Sequence, residues 1–183
     1  MIRVYHSAFV GHSTDQPPSF VPVLLPVWIV TALWDAICAS ALGVFAYGAT
    51  AASVWRGVAA TAFGPTAFEN GAVAVAAGLA VHLAVALTWS ALFVAAVLLW
   101  PALRRAIRTR GGALAVAALY GPAIWLVMSL AVIPLATGRL PRFGLRWWVQ
   151  IVAHLPFVTL PLVFTTRWVL ERYARGDVSA RAV

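Results

Sequence analysis

The sequence predicts an all-α, polytopic membrane protein: four transmembrane helices in a bundle, with a short interfacial helix between spans one and two. Three observations carry that expectation. Hydrophobic residues make up 63% of the 183-residue chain and charged residues only 10%, against roughly 45–50% and 25% in soluble domains. Mean hydropathy is +0.91. The apolar residues gather in four runs, each long enough to cross a hydrocarbon core of about 30 Å, which takes about 20 helical residues. A soluble enzyme of this length would be unable to bury so much apolar surface. The runs show no strand-like alternation, and backbone groups in lipid must be satisfied internally, so helices are expected rather than barrel strands.

Residues 1–21 read as a polar N-terminal tail that holds Arg3, His6, His12, Asp15 and the Pro17–Pro18 pair. They do not resemble a cleavable signal peptide. The first span is expected over about residues 22–48, with Pro22 and Pro26 in its opening turns, where proline's missing N–H costs little. Residues 49–71 are too apolar for an ordinary loop and are interrupted by Gly64–Pro65. A helix over Ser53–Phe63 lying in the interface, with Arg56 toward water, is expected there. A re-entrant segment is the alternative. The second span is expected over about 72–100, ended by Pro101, and the third over about 113–136, after Gly111–Gly112 and with Pro134 near its far end. The fourth is expected over about 148–170 and contains Pro156 and Pro161, which predict a kink. Residues 171–183 then form a C-terminal tail.

Four spans place both tails and the 101–112 loop on one side. That side carries nine arginines: Arg3, Arg104, Arg105, Arg108, Arg110, Arg167, Arg172, Arg175 and Arg181. The opposite side carries four: Arg56, Arg139, Arg142 and Arg146. The excess predicts cytoplasmic termini. All 13 basic residues are arginines, and they flank the apolar runs. The net charge of +8 is therefore a topological signal, and no nucleic-acid partner is expected. Trp28, Trp100, Trp147, Trp148 and Trp168 fall near span ends, as an aromatic belt would place them. Small residues recur at helical spacing: Ala32, Ala36 and Ser40 with Ala39 and Gly43 in span one, Gly71, Ala74 and Gly78 in span two, and Ala113, Ala117 and Gly121 in span three. Such ladders let membrane helices approach closely, within the chain or in a dimer.

A few polar residues stand out inside the spans. Asp35 lies near the middle of span one, where a carboxylate costs about 2.5–3.5 kcal/mol on insertion scales. It needs a partner, water or a proton, and Thr31 one turn earlier is a candidate donor. At a rise of 1.5 Å per residue, Asp35, His82 and His154 would lie about 20, 15 and 9 Å below one surface. Together with Gln150 and Ser129 they form a candidate polar cluster. Three chemistries suit it. Histidine and aspartate relay protons. Histidines on two helices ligate a haem, a chlorophyll-type pigment or a metal, although the depth mismatch and the lack of paired histidines on one helix weigh against this. Hydrogen bonds alone hold helices in register. Arg139, Arg142 and Arg146 form a basic loop suited to lipid phosphates or an acidic partner. Cys38 is alone, so neither an internal disulfide nor a thiolate metal site is expected, and no catalytic motif is present.

The segments LWDA (33–36), GLAVHLAVAL (78–87), LYGPAIWLVMSLAVIPLA (119–136) and AHLPFVTLPL (153–162) carry a family likeness. Over roughly residues 30–168 the chain resembles bacterial four-span inner-membrane proteins of the YagU-like family. In that pattern an acidic residue in span one and histidines in spans two and four recur, matched here by Asp35, His82 and His154. Where the family's third span reads Met-Asn, this chain has Met128–Ser129, one polar amide fewer. The resemblance implies the fold and the bacterial inner membrane, and no activity.

The function expected from these observations is non-enzymatic: a structural or accessory component of the bilayer, such as a subunit of a larger membrane complex, partnered by other membrane subunits or by itself. The alternatives are a small proton or solute transporter or channel using Asp35, His82 and His154, and a haem- or chlorophyll-binding subunit. No metal site is expected, and the sequence names no cofactor.

Overall fold

In a computed structural model, which describes residues 18–69 and 71–176, four helices are long and apolar enough to cross a membrane: Phe20–Tyr47, Gly71–Leu99, Arg110–Thr137 and Leu145–Ala174. They fit a multi-pass membrane protein, and no strand occurs among the described residues. Most of both expected tails, with Arg3 and Arg181, lies outside the described residues.

In chain order the helices are α1 (Phe20–Tyr47), α2 (Ala51–Phe63), α3 (Gly71–Leu99), α4 (Pro101–Ala106), α5 (Arg110–Val127), α6 (Ile133–Thr137), α7 (Leu145–His154) and α8 (Leu160–Ala174). A 3₁₀ turn, Pro65–Glu69, links α2 to α3. The third span is α5 and α6 joined by a π turn over Met128–Val132, and the fourth is α7 and α8 joined by another over Leu155–Thr159.

Local chemistry sets the ends. Gly48 closes α1 in the left-handed region at φ 62°, which glycine adopts without steric cost. Thr50 then opens α2 with a capping box: its hydroxyl accepts from the Ser53 N–H at 3.1 Å, and the Ser53 hydroxyl accepts from the Thr50 N–H at 3.1 Å. The third span begins at Arg110, ahead of the expected residue 113. The Thr109 hydroxyl accepts from the Gly112 N–H at 3.0 Å and draws both glycines into the first turn. Gly112 is needed there because a Cβ would collide with the Ala106 carbonyl. The fourth span runs on to Ala174, where Arg167 and Glu171 pair one turn apart at 2.6 Å.

α1 packs against α3 and α8, α5 packs against α7 and α8, and α2 lies mainly on α3 while reaching α6. Part of the expected small-residue faces is buried in these contacts: Ala32, Gly43, Ala74, Gly78, Ala113, Ala117 and Gly121 lie inside the fold, whereas Ala36, Ala39 and Ser40 are half-buried and Gly71 is exposed. Gly43 faces Val54, and Gly78 lies directly under the Trp55 carbonyl, where any Cβ would collide with backbone. α2 is thus seated in the bundle surface. Trp55 and Ala59 are buried, and Arg56, expected to face water, is half-buried.

The hydrophobic core fills one half of the bundle. Val23, Leu24 and Val27 of α1 meet Phe93, Val94 and Val97 of α3, Ala113 and Ala117 of α5, and Leu162 and Val163 of α8. This is the half beside Arg104, Arg105, Arg108 and Arg110. One tryptophan departs from the expected belt. Trp147 is buried, packed at 6.3 Å from Trp125 and 5.1 Å from Phe143 between ring centroids.

Gly78→Ala is expected to push α2 off α3 and to lower stability by about 1–3 kcal/mol, as overpacking does. Gly111→Ala, with open space around its Cβ, is expected to stay within about 0.5 kcal/mol of the parent. Reversible unfolding of the two variants in bicelles tests the contrast, and equal stability would mean that α2 is not docked on α3.

Candidate functional site

The half of the bundle beside α2 holds a partly open cavity of about 120 Å³ lined from all four spans. α1 contributes Thr31 and Asp35, and α3 contributes His82 and Trp89. The third span contributes Trp125, Met128 and Ile133, and the fourth contributes His154 and Val158. Asp35, His82 and His154, predicted at different depths, therefore face one space.

Two register shifts shape its walls. In the fourth span the Leu160 N–H bonds the Leu155 carbonyl, one residue beyond the α-helical acceptor, and Pro161 follows without an N–H to give. The Pro156 carbonyl is left without its helical donor, and the Trp34 indole N–H takes it up at 3.1 Å from α1. The same step occurs in the third span. Ile133 N–H bonds the Met128 carbonyl, and Pro134 follows. Such π turns widen a helix by one residue and recur at functional sites. Here they bring Met128, Ile133 and Val158 to the cavity wall. Thr159, fully buried, ties the fourth span to the third by donating to the Ala117 carbonyl at 2.8 Å. Gly121 makes room for this crossing, since a Cβ would stand 2.9 Å from the Thr159 hydroxyl.

The hydrogen bonds assign the histidine tautomers. His82 Nε2 lies 3.0 Å from the Ala32 carbonyl, which only accepts, so Nε2 carries hydrogen. His82 Nδ1 faces the Asp35 carboxyl at 3.8 Å. That gap is longer than a direct hydrogen bond of about 2.7–3.2 Å and suits a bridging water. The pair has two arrangements of one proton: a carboxylic acid opposite a bare Nδ1, or a carboxylate opposite an imidazolium. Moving between them transfers a proton from α1 to α3. His154 is arranged the other way round. Its Nδ1 donates to the Gln150 carbonyl at 2.7 Å, which leaves Nε2 as the acceptor. The Trp55 ring packs edge-on over His82, and the Trp125 ring lies tilted against His154, each with centroids 5.1 Å apart.

The rest of the expected cluster sits elsewhere. Ser129 is buried in the π turn of the third span but does not line the cavity, because the register shift gives that wall to Met128 and Ile133. Gln150 takes part through its backbone carbonyl, and its side chain lies outside the cavity lining. Thr31, expected to donate to Asp35, lines the cavity with a buried hydroxyl that has no hydrogen-bonding partner in the protein. The Trp125 indole N–H is in the same position. Buried donors of this kind call for water or a polar ligand. In sequence, Trp125 and Met128 look like ordinary members of an apolar run. The pairing of Gly78 with His82 one turn on is the signal that marks the Trp55 approach.

The three arginines of the basic loop have different surroundings. Arg146 lies over the Tyr47 ring at 4.5 Å, Arg139 lines a separate groove near α2, and Arg142 is exposed. The cavity is smaller than the roughly 300–1,000 Å³ of pockets that take drug-sized ligands, and a tetrapyrrole is larger still. His82 also has both ring nitrogens engaged. Among the described residues no group of three metal-ligating side chains converges. No protein-family model, curated protein or solved structure matches the chain.

Side-chain nitrogen NMR in bilayers tests the assignment. His82 is expected as the Nε2–H tautomer and His154 as the Nδ1–H tautomer, with Asp35→Asn moving the His82 signals alone. Matching tautomers for the two rings would contradict it.

Proposed function

We propose that this chain is a non-enzymatic, multi-pass membrane protein that carries protons, alone or together with a small solute, through Asp35, His82 and His154. One observation carries the reading. Three ionisable side chains from α1, α3 and α7 line a single cavity inside the bundle, beside two buried donors that have no protein partner. Ionisable groups inside a membrane bundle are expensive, and transport and proton relay are the functions that justify them. A cavity of about 120 Å³ has room for several waters, so protons and very small solutes are the species that suit it. No covalent bond of a substrate need change.

The accessory-subunit reading draws on the absence of catalytic motifs, the small-residue faces and the broad apolar sides. Ala32, Gly43, Ala74, Gly78, Ala113, Ala117 and Gly121 are buried within this chain, so those positions do not speak for an external partner. The four-span architecture, the arginine excess beside α4 and the resemblance to the YagU-like family support the bacterial inner membrane with both termini in the cytoplasm.

Proteoliposomes loaded with a pH-sensitive dye test the proposal under an imposed proton gradient. Flux is expected in the parent protein, with a loss of about tenfold or more, worth at least about 1.4 kcal/mol, in Asp35→Asn and in His82→Gln. Gln150→Leu, altered outside the cavity, is expected to retain it. Flux in the Asp35→Asn, His82→Gln double variant equal to that of the parent would end the proposal.

A further inference from the structure

A second cavity of about 650 Å³ opens among α2, the Pro65–Glu69 turn, α6 and the loop that follows it. Its lining includes Thr61, Glu69, Thr137 and Arg139, and it also includes Ile133. Ile133 lines the smaller, partly open cavity as well. The two spaces are therefore neighbours across one aliphatic side chain. On one face of Ile133 lies a groove bearing a carboxylate, a guanidinium and two hydroxyls. On its other face lie Asp35, His82 and His154.

We propose that the groove is a water-filled vestibule through which protons reach the Asp35–His82 pair, and that Ile133 is the movable partition between vestibule and cavity. The functional role of this path rests on the proton-carrying reading above, whereas the path itself rests on the shared wall. Three further observations support it. Ile133 directly follows the π turn, and Pro134 beside it has no N–H, so the backbone there is held by fewer helical bonds than a regular helix. The opposite half of the bundle is filled by Val23, Val27, Val94, Val97, Leu162 and Val163, all fully buried, which leaves the α2 end as the open approach. The buried hydroxyl of Thr31 and indole of Trp125 require a polar occupant that must arrive by some route. In the transfer itself a hydronium in the vestibule gives its proton to the pair and remains as water. Glu69 and Arg139, at the groove, keep that approach hydrated.

Silver ion, a water-sized cation that reacts with thiols, tests the path in nanodiscs, where both faces of the full chain are reachable. The background carries Cys38→Ser and Val85→Cys, which places a thiol in the cavity wall. Ile133→Ala is expected to raise the rate of thiol modification by about tenfold, the factor given by about 1.4 kcal/mol in an opening equilibrium. Ile133→Trp is expected to slow it. Ile133→Val, which keeps the packing close to the parent, is expected to fall between parent and Ile133→Ala. Leu135→Ala, at a residue 86% exposed on the same helix, is expected to change nothing. Equal rates across the Ile133 variants would overturn the vestibule. If rates followed Ile133 while proton flux ignored Asp35, the vestibule would stand and the carrier reading would fall. If flux depended on Asp35 while rates ignored Ile133, the reverse would hold.

Discussion

Pro161 has no N–H, and in an apolar surrounding each backbone group that loses its partner must find another. Much of this structure follows from that requirement. The Leu160 N–H shifts to the Leu155 carbonyl, the helix widens, and the Pro156 carbonyl is left for the Trp34 indole to satisfy from α1. Thr159, inside the same widened turn, turns its hydroxyl to the Ala117 carbonyl of α5. A local deficit on one helix thus becomes two ties to its neighbours. Pro134 imposes the same shift on the third span through the Ile133 N–H and the Met128 carbonyl. The cavity lies where these two widened turns face the middle of α1 and α3.

The bundle is consequently divided along its length. Regular helices beside the arginine-rich turn pack mainly apolar side chains, with Ser90 and Thr166 fully buried among them. The half beside α2 holds the π turns, the aromatic rings and the ionisable groups. The division is physically economical. A helix interrupted by proline packs poorly against a straight neighbour, and the space left over is where a carboxyl and two imidazoles are accommodated. α2 completes the arrangement. Its close seat on Gly78 brings the Trp55 ring edge-on against His82, which lines the cavity.

Within the cavity, the two histidines differ in what holds them. His82 is anchored by a carbonyl of a different helix, Ala32, and presents its second nitrogen to Asp35 of that same helix. It therefore couples α1 to α3 in a way that depends on where the shared proton resides. His154 is anchored by its own helix, at the Gln150 carbonyl, and its free nitrogen is independent of the first pair. One histidine reports the state of the helix packing, whereas the other offers a fixed acceptor.

Composition and run length by themselves determined the four spans, the short helix between the first two and the distribution of arginines, because burial in lipid depends on the hydropathy and length of each segment alone. Asp35, His82 and His154 stood out for the same reason: a polar side chain in an apolar run is conspicuous without any coordinates. The small residues at four-residue spacing announced close contacts, and Gly43, Gly78 and Gly121 make them. Tertiary structure alone decided which faces meet. Rotation about each helix axis is invisible in sequence, so depth alone groups Ser129 and Gln150 with Asp35 and the two histidines, although a one-residue register shift turns Met128 and Ile133 to the cavity wall instead. The prolines signalled bends, but whether a bend becomes a kink or a π turn depends on which neighbour supplies the missing hydrogen bonds. Trp34 and Thr159 supply them here, from positions that only the folded chain brings within reach.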